Sequence, residues 1–286
     1  MKLALVSDTH LAQRAAAFNE NWQSAQRWID ASGADAVVHL GDISADGDDD
    51  PASLEFAAAV LSRSSIRVHA LPGNHDLGDN AREAAAAEAH SIDSARLRRY
   101  RDRFGADRWS LATPHWLLLG INAQLLGTGM DEEHAQFAWI EGQLRSRAER
   151  QIGLMLHKPL LPLAPGEADE GERYVAPAAR RRLLDLLRPR ALRFIVSGHT
   201  HQWRRQQLDG IEHVWVPSTS FCIPDAIQPR LGEKIVGLMQ LTLKGAEYRF
   251  DTIIPDAMRR CNLLDQLDIY PQLAGIKQRL GAAGEL

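Results

Sequence analysis

Lys2-Leu3-Ala4-Leu5-Val6-Ser7-Asp8-Thr9-His10 is an apolar run of strand length that ends in a carboxylate and an imidazole two positions apart. The same arrangement returns along the chain. Residues 36–40 lead into Gly41-Asp42, 66–71 into Gly73-Asn74-His75-Asp76, 152–156 into His157, and 194–197 into Gly198-His199-Thr200-His201. Carboxylate, carboxamide and imidazole are hard and borderline donors that suit divalent ions such as Mn, Fe or Zn, and no cysteine joins them. Five such blocks in order imply a two-metal site and hydrolytic metal chemistry.

Between the apolar runs, which also include 116–121, segments 19–31, 53–63, 81–104, 132–149 and 178–187 have helix-forming composition. That alternation predicts an α/β protein. A further set of strands at 212–216, 235–243 and 248–252 is joined by short glycine-bearing turns, which predicts antiparallel pairing in a second sheet. The expected architecture is a two-sheet β-sandwich flanked by helices, in αββα order. Every donor block lies beyond the carboxyl end of a predicted strand, where loops can be aimed without disturbing the core. Gly41, Gly73 and Gly198 are read as the residues that let the backbone turn sharply there.

At 286 residues and 45% hydrophobic, the chain has material for one large core. The net charge of −4 offers no cationic field for polyanions. No apolar run is long enough to span a bilayer, and a donor carboxylate at position 8 leaves no room for a signal peptide before it. A cytoplasmic protein with no membrane partner is expected. Cys222 and Cys261 are too few for a disulfide framework and read as small, buried or partly buried residues. Residues 1–254 read as one catalytic domain. Beyond them, 258–264 and 269–280 read as two short amphipathic helices, a C-terminal extension serving as a lid, a homodimer contact or a layer packed on the core.

The order Asp-x-His, Gly-Asp, Gly-Asn-His-Asp, His, Gly-His-x-His, over residues 1 to about 220, resembles the calcineurin-like metallophosphoesterases. By that resemblance Asp8, His10 and His201 would hold one metal ion, Asn74, His157 and His199 the second, and Asp42 would bridge them. A shared water would supply the nucleophile for in-line attack on phosphorus. His75 would act as general acid toward the leaving oxygen, with Asp76 orienting its ring or keeping it protonated. Cofactors are thus two divalent ions, Mn, Fe or Zn, and the enzyme expected is a metal-dependent phosphoric ester hydrolase.

Substrate class follows from what flanks the blocks. No arginine lies just beyond Asp42, as in the serine/threonine phosphatases of the superfamily. Nor does a tyrosine follow it, as in the purple acid phosphatases. The acidic run Asp46, Asp48, Asp49, Asp50 is either an exposed turn or a feature that disfavours a dianion. The chain is most similar to the bacterial class III cyclic-nucleotide and glycerophosphodiester phosphodiesterases, including the loop Pro217-Ser218-Thr219-Ser220-Phe221 after the last ligands. A small phosphodiester is therefore the expected partner, and nucleic acid is not. A phosphomonoesterase, a nuclease and a non-catalytic metal-binding scaffold stay open as alternatives. Trp203 is read either as a pocket wall or as core, His39 and His69 as hydrogen-bonded sheet residues, and 165–172 as a candidate mobile loop over the pocket.

Overall fold

The computed structural model describes residues 1–80, 90–169, 171 and 173–284. Two sheets carry the fold. The first has the order β12-β11-β1-β2-β3, with β1 (Lys2–Val6), β2 (Ala36–His39) and β3 (Val68–Ala70) parallel, and β11 (Leu238–Lys244) and β12 (Glu247–Ile253) antiparallel. The second has the order β4-β5-β6-β7-β9-β8, built from β4 (Trp109–Ala112), β5 (Trp116–Gly120), β6 (Gln151–Met155), β7 (Leu192–Ser197), β8 (Arg204–Leu208) and β9 (Ile211–Trp215). A two-stranded pair joins β10 (Phe221–Cys222) to β13 (Cys261–Asn262).

Side-chain alternation explains why the central strands are apolar throughout. Leu3 and Leu5 of β1 meet Trp116 and Leu118 of β5, Phe194 and Val196 of β7, and Met239 and Leu241 of β11 in a layer between the sheets. The alternate residues Ala4 and Val6 face outward onto Trp22, Ala25 and Ile29 of α1 (Ala16–Ser32), Ala57 and Leu61 of α2 (Pro51–Leu61), and Leu97 and Tyr100 of α4 (Ser94–Phe104). On the far side, Leu117, Leu119, Ile152 and Leu154 pack on α5 (Asp131–Arg145) and α6 (Pro177–Leu187). A strand buried on both faces cannot show a polar alternation, so it reads as a continuous hydrophobic run. The layers are α, β, β, α.

The strands expected at 212–216, 235–243 and 248–252 do not form a sheet of their own. Strand β9 lies parallel to β7 and closes the second sheet with β8, while β11 and β12 extend the first sheet from β1. The six strands read from the earlier apolar runs are split three and three between the sheets, parallel within each set. Of the predicted helix 81–104, residues 81–89 lie outside the described residues, and among the described ones the helix runs over Ser94–Phe104. The helix expected at 258–264 is instead strand β13 and a 3-10 turn, Leu263–Asp265, capped by the Asn262 side chain on the Leu264 N–H at 2.9 Å. Between 269 and 280, a buried Ile269-Tyr270 pair precedes α7 (Ala274–Ala283), while the short α3 (Asn74–Leu77) lies in a donor block.

His213 lies on β9 and is 4% exposed. Burial, reinforced by the Arg188 guanidinium, lowers its pKa to about 4. An unfolded histidine titrates near 6.5, so between these values the unfolded chain binds the extra proton and acid favours unfolding. Stability is complete above pH ~6.5 and falls as pH drops toward 4, by up to about 3 kcal/mol from this group. Denaturant titrations of wild type and His213→Leu from pH 7 to 4 should show the wild type losing stability faster; parallel curves would refute the assignment.

Candidate metal centre

Each donor block occupies the loop at the carboxyl end of its strand, and the loops converge. Asp8, His10, Asp42 and His201 bring their ligand atoms within 4.8 Å of one another; so do Asp42, His157 and His199. Asp42 belongs to both groups. Its Oδ2 lies 3.8 Å from His10 Nε2 and 3.3 Å from His157 Nε2. His10 and His201 approach Nε2 to Nε2 at 3.2 Å, and Asn74 Oδ1 lies 3.3 Å from His157 Nε2. All seven candidate ligands are therefore brought together, in the same two sets that the resemblance implies.

Holding the donors this way requires unusual backbone. Eight non-glycine residues among those described have positive φ, and five of them are Asp8, His10, Asp42, His199 and His201. A non-glycine residue there costs about 1–3 kcal/mol and persists only when its surroundings enforce it. The surroundings are visible. Asp8 N–H donates to the Gly41 carbonyl and His10 N–H to the Asp42 carbonyl, both at 3.0 Å. The Asp8 carbonyl accepts from Ser218 Oγ at 3.0 Å and Ser220 Oγ at 2.6 Å, and Thr219 N–H donates to the Ser7 carbonyl at 2.9 Å. The 217–221 loop is thus a buried brace for Asp8.

A second chain of bonds ties the first two loops. Gly41 N–H donates to His39 Nδ1 at 3.3 Å, which leaves the proton on Nε2 to donate to Thr9 Oγ at 2.9 Å; that hydroxyl donates to the Ile43 carbonyl at 3.0 Å. His39 is fully buried and burial lowers its pKa to about 3, so it stays neutral. Beyond His157, the wholly buried Lys158 ammonium donates to Asp79 at 2.8 Å and to Asn80 Oδ1 at 2.9 Å, anchoring that loop to the segment after the 73–76 block. Neither pairing leaves a signature in the sequence, because both join residues from different loops.

Two glycines are required by space. A Cβ on Gly73 would sit 2.1 Å from Asp42 Oδ1, and one on Gly198 1.8 Å from Ser7 Oγ. Gly73 has ordinary extended backbone, φ −109°, so close approach and not a sharp turn explains it.

His75 lies at the rim of the cage, its ring centroid 4.7 Å from that of His10. Its Nδ1 pairs with the Ala45 carbonyl at 2.7 Å. Burial opposes its charged form, yet Asp42, Asp48 and the Ala45 carbonyl outweigh that and raise its pKa above the ordinary histidine value. Asp76 does not touch this ring. Its carboxylate accepts from Gly73 N–H at 2.9 Å, Ile43 N–H at 3.1 Å, and Ser44 N–H and Oγ at 2.8 Å each, so it clamps the second loop to the third. Orientation of His75 falls to Ala45, and Asp76 contributes only its charge.

The acidic run is not a bare turn. Asp46 pairs with Arg14, Asp48 is buried and pairs with His90 at 3.1 Å, Asp49 pairs with Arg96 at 3.1 Å, and Asp50 caps α2 through the Ala52 N–H at 3.0 Å. Trp203 packs against the layer between the sheets. In the 165–172 loop, where 170 and 172 lie outside the described residues, Glu167 accepts from Tyr174 and from Arg204 at 2.8 Å, which ties the loop to β8.

Asp8 and Asp42 are buried carboxylates with no lysine or arginine partner among the described residues; imidazoles and backbone N–H groups face them. Buried anions of this kind call for cations, and the O and N donors fit divalent ions. Fold and site together define a layered α/β protein with a candidate dinuclear metal centre.

Residues 1–203 match the family described as calcineurin-like phosphoesterase, and the chain belongs to that family. A protein of Psychrobacter arcticus described as a "probable cyclic nucleotide phosphodiesterase" is 26% identical over 188 residues, 65% of this chain and 64% of that protein's length. The alignment therefore spans less than two thirds of that relative. The fold is shared with a dimetal phosphatase from Danio rerio, 16% identical, TM-score 0.62, covering 88% of this chain and 95% of that one. It is also shared with a purple acid phosphatase from yellow lupin, 15% identical, TM-score 0.66, covering 94% and 55%. GAP50, described as the anchor in the inner membrane complex of Plasmodium, shares it too, 13% identical with TM-score 0.62 over 91% and 86%.

The contact at Gly73 gives a direct check. Gly73→Ala should displace Asp42 and lower Mn(II) affinity by about 100-fold or more, beyond the loss typical of a ligand's hydrogen-bond partner. Elemental analysis after gel filtration, with circular dichroism to verify folding, measures it; full metal content in the folded variant would contradict the close-approach reading.

Proposed function

We propose that this chain is a dinuclear metal-dependent phosphodiesterase that hydrolyses a small phosphodiester of the cyclic-nucleotide or glycerophosphodiester type. The carrying observation is the pair of donor groups that share Asp42, with the His75 ring beside them. Asp8, His10 and His201 would hold one divalent ion, Asn74, His157 and His199 the other, and Asp42 both. Mn, Fe and Zn all suit this set of donors. When bound, the pair of ions would supply Lewis acidity toward a water nucleophile and the phosphoryl oxygens.

The chain's own residues do the rest. The five positive-φ ligands fix donor positions before substrate arrives, which lowers the reorganisation needed during reaction. With Nδ1 committed to the Ala45 carbonyl, Nε2 is the nitrogen from which protonated His75 donates. As the bond from phosphorus to the leaving oxygen breaks, that oxygen takes the His75 proton, and the neighbouring carboxylates that raise the pKa of the ring favour the protonated form this transfer needs. Asp48, buried and among the charges that stabilise the His75 cation, assists.

A diester is favoured over a monoester because no arginine follows Asp42 to clamp a dianion. The description of the Psychrobacter arcticus relative points the same way.

Protein loaded with Mn(II) should hydrolyse bis(p-nitrophenyl) phosphate faster than p-nitrophenyl phosphate, and chelator should abolish both activities. Preference for the monoester would overturn the diesterase assignment, and inactivity toward both with metal bound would leave a scaffold. His75→Ala should keep its metal yet lose about 10²- to 10⁴-fold in turnover with alkyl leaving groups, and much less with p-nitrophenolate, which needs no proton. An equal loss with both leaving groups would remove the general-acid role.

A further inference from the structure

After β12 the chain turns back toward the metal centre. Asn21 of α1 guides it, accepting from Arg259 N–H at 2.8 Å and donating to the carbonyls of Arg259 and Ser220 at 2.9 Å each. Strand β13 then pairs with β10, the strand whose Phe221 carbonyl faces His201 Nδ1 at 3.1 Å. Four residues beyond the 3-10 turn, Ile269 and Tyr270 sink into an apolar nest of Ala12, Ala15, Phe18, Ala45 and Phe221. Tyr270 is 6% exposed, and its hydroxyl lies 2.9 Å from His10 Nδ1. This contact spans 260 positions and originates outside residues 1–203, the part that matches the family.

The outer nitrogens of the neighbouring rings rest on main chain. His157 Nδ1 pairs with the Leu40 carbonyl at 2.9 Å, His201 Nδ1 with the Phe221 carbonyl, and His75 Nδ1 with the Ala45 carbonyl. His10 differs. Its Nε2 points into the cage, toward His201 Nε2 and Asp42 Oδ2, and among the described residues the hydrogen-bond partner of its Nδ1 is the Tyr270 hydroxyl. A neutral imidazole carries one ring proton, so a metal-binding Nε2 requires the proton on Nδ1 and an acceptor to face it.

We infer that Tyr270 is a positioning residue of the metal centre: its hydroxyl accepts from His10 Nδ1–H and so directs the bare Nε2 toward the cation. The inference rests on the two-cation reading of the cage. It makes residues 255–270 part of the working catalytic unit, with the extension closing the first ion's side of the site. Hydrogen bonding of this kind fixes ring orientation and raises ligand basicity, and its loss lowers metal affinity by about 10- to 100-fold.

The test is a Mn(II) titration of metal-free full-length protein, with free Mn(II) read by electron paramagnetic resonance. Wild type should take up two ions. Tyr270→Phe removes only the hydroxyl and should weaken one of the two by about 10- to 100-fold while the other holds. Phe18→Leu trims the same aromatic nest, whose Phe18 ring lies 6.5 Å from that of His10, and keeps the hydroxyl; both affinities should stay. Two ions bound by Tyr270→Phe at wild-type affinity would overturn the inference, as would an equal loss in Phe18→Leu. Uptake of a single ion by wild type would instead sink the two-cation reading, and the inference with it. A measurement without any variant is nitrogen-15 NMR of histidine-labelled, Zn(II)-loaded protein, where His10 should carry its proton on Nδ1; a proton on Nε2 would overturn the inference.

Discussion

Asp42 is a carboxylate taken out of water between two groups of imidazoles, and it is the one donor common to both. Its ring neighbours come from β1's loop on one side and β6's on the other, that is, from different sheets. A buried anion in that place is tolerable only with positive charge supplied close by. The fold meets this need by bringing the carboxyl ends of strands from both sheets to one edge of the sandwich, so that donors from five loops can face a common centre. Burial opposes the Asp42 charge, but His157, His75 and His10 hold its pKa well below the ordinary carboxylate value.

The cost of that convergence is local strain. Two of the blocks place residues of positive φ on either side of a threonine, so that Asp8 and His10, and likewise His199 and His201, both point inward. Such backbone persists because hydrogen bonds over-determine it. Asp76 ties the Ile43 and Ser44 N–H groups of the second loop to Gly73 N–H of its own, Ser218 and Ser220 hold the Asp8 carbonyl, and the His39-Thr9-Ile43 chain joins two strand ends. These groups do not act on substrate. They keep the donors where the chemistry needs them, and the stability of the two-sheet core offsets the strain.

The same scaffold serves proteins described as phosphatases and one described as an anchor, so the layers do not choose the activity. In this chain all seven candidate donors converge, a histidine with elevated pKa stands beside them, and the C-terminal segment packs down on the cage. The acidic 46–50 loop belongs to the same picture. Its carboxylates are paired with Arg14, His90 and Arg96 or spent on a helix cap, and Asp48 lends its charge to His75.

The layered α/β class and the seven candidate donors were legible in the residues, because donor chemistry belongs to a side-chain type and a doubly buried strand betrays itself as an unbroken apolar run; the general-acid candidate came from the family resemblance. Pattern alone left open whether Asp76 orients the His75 ring or only lends it charge, which the structure resolves as charge, and it misassigned a helix to 258–264; competition between nearby partners decided both outcomes. Only the tertiary structure allots the strands to two sheets, sets five ligands in left-handed backbone, and carries Tyr270 to His10. Those features arise from contacts between residues far apart in the chain, and such contacts are settled by packing of whole layers, to which no local periodicity responds.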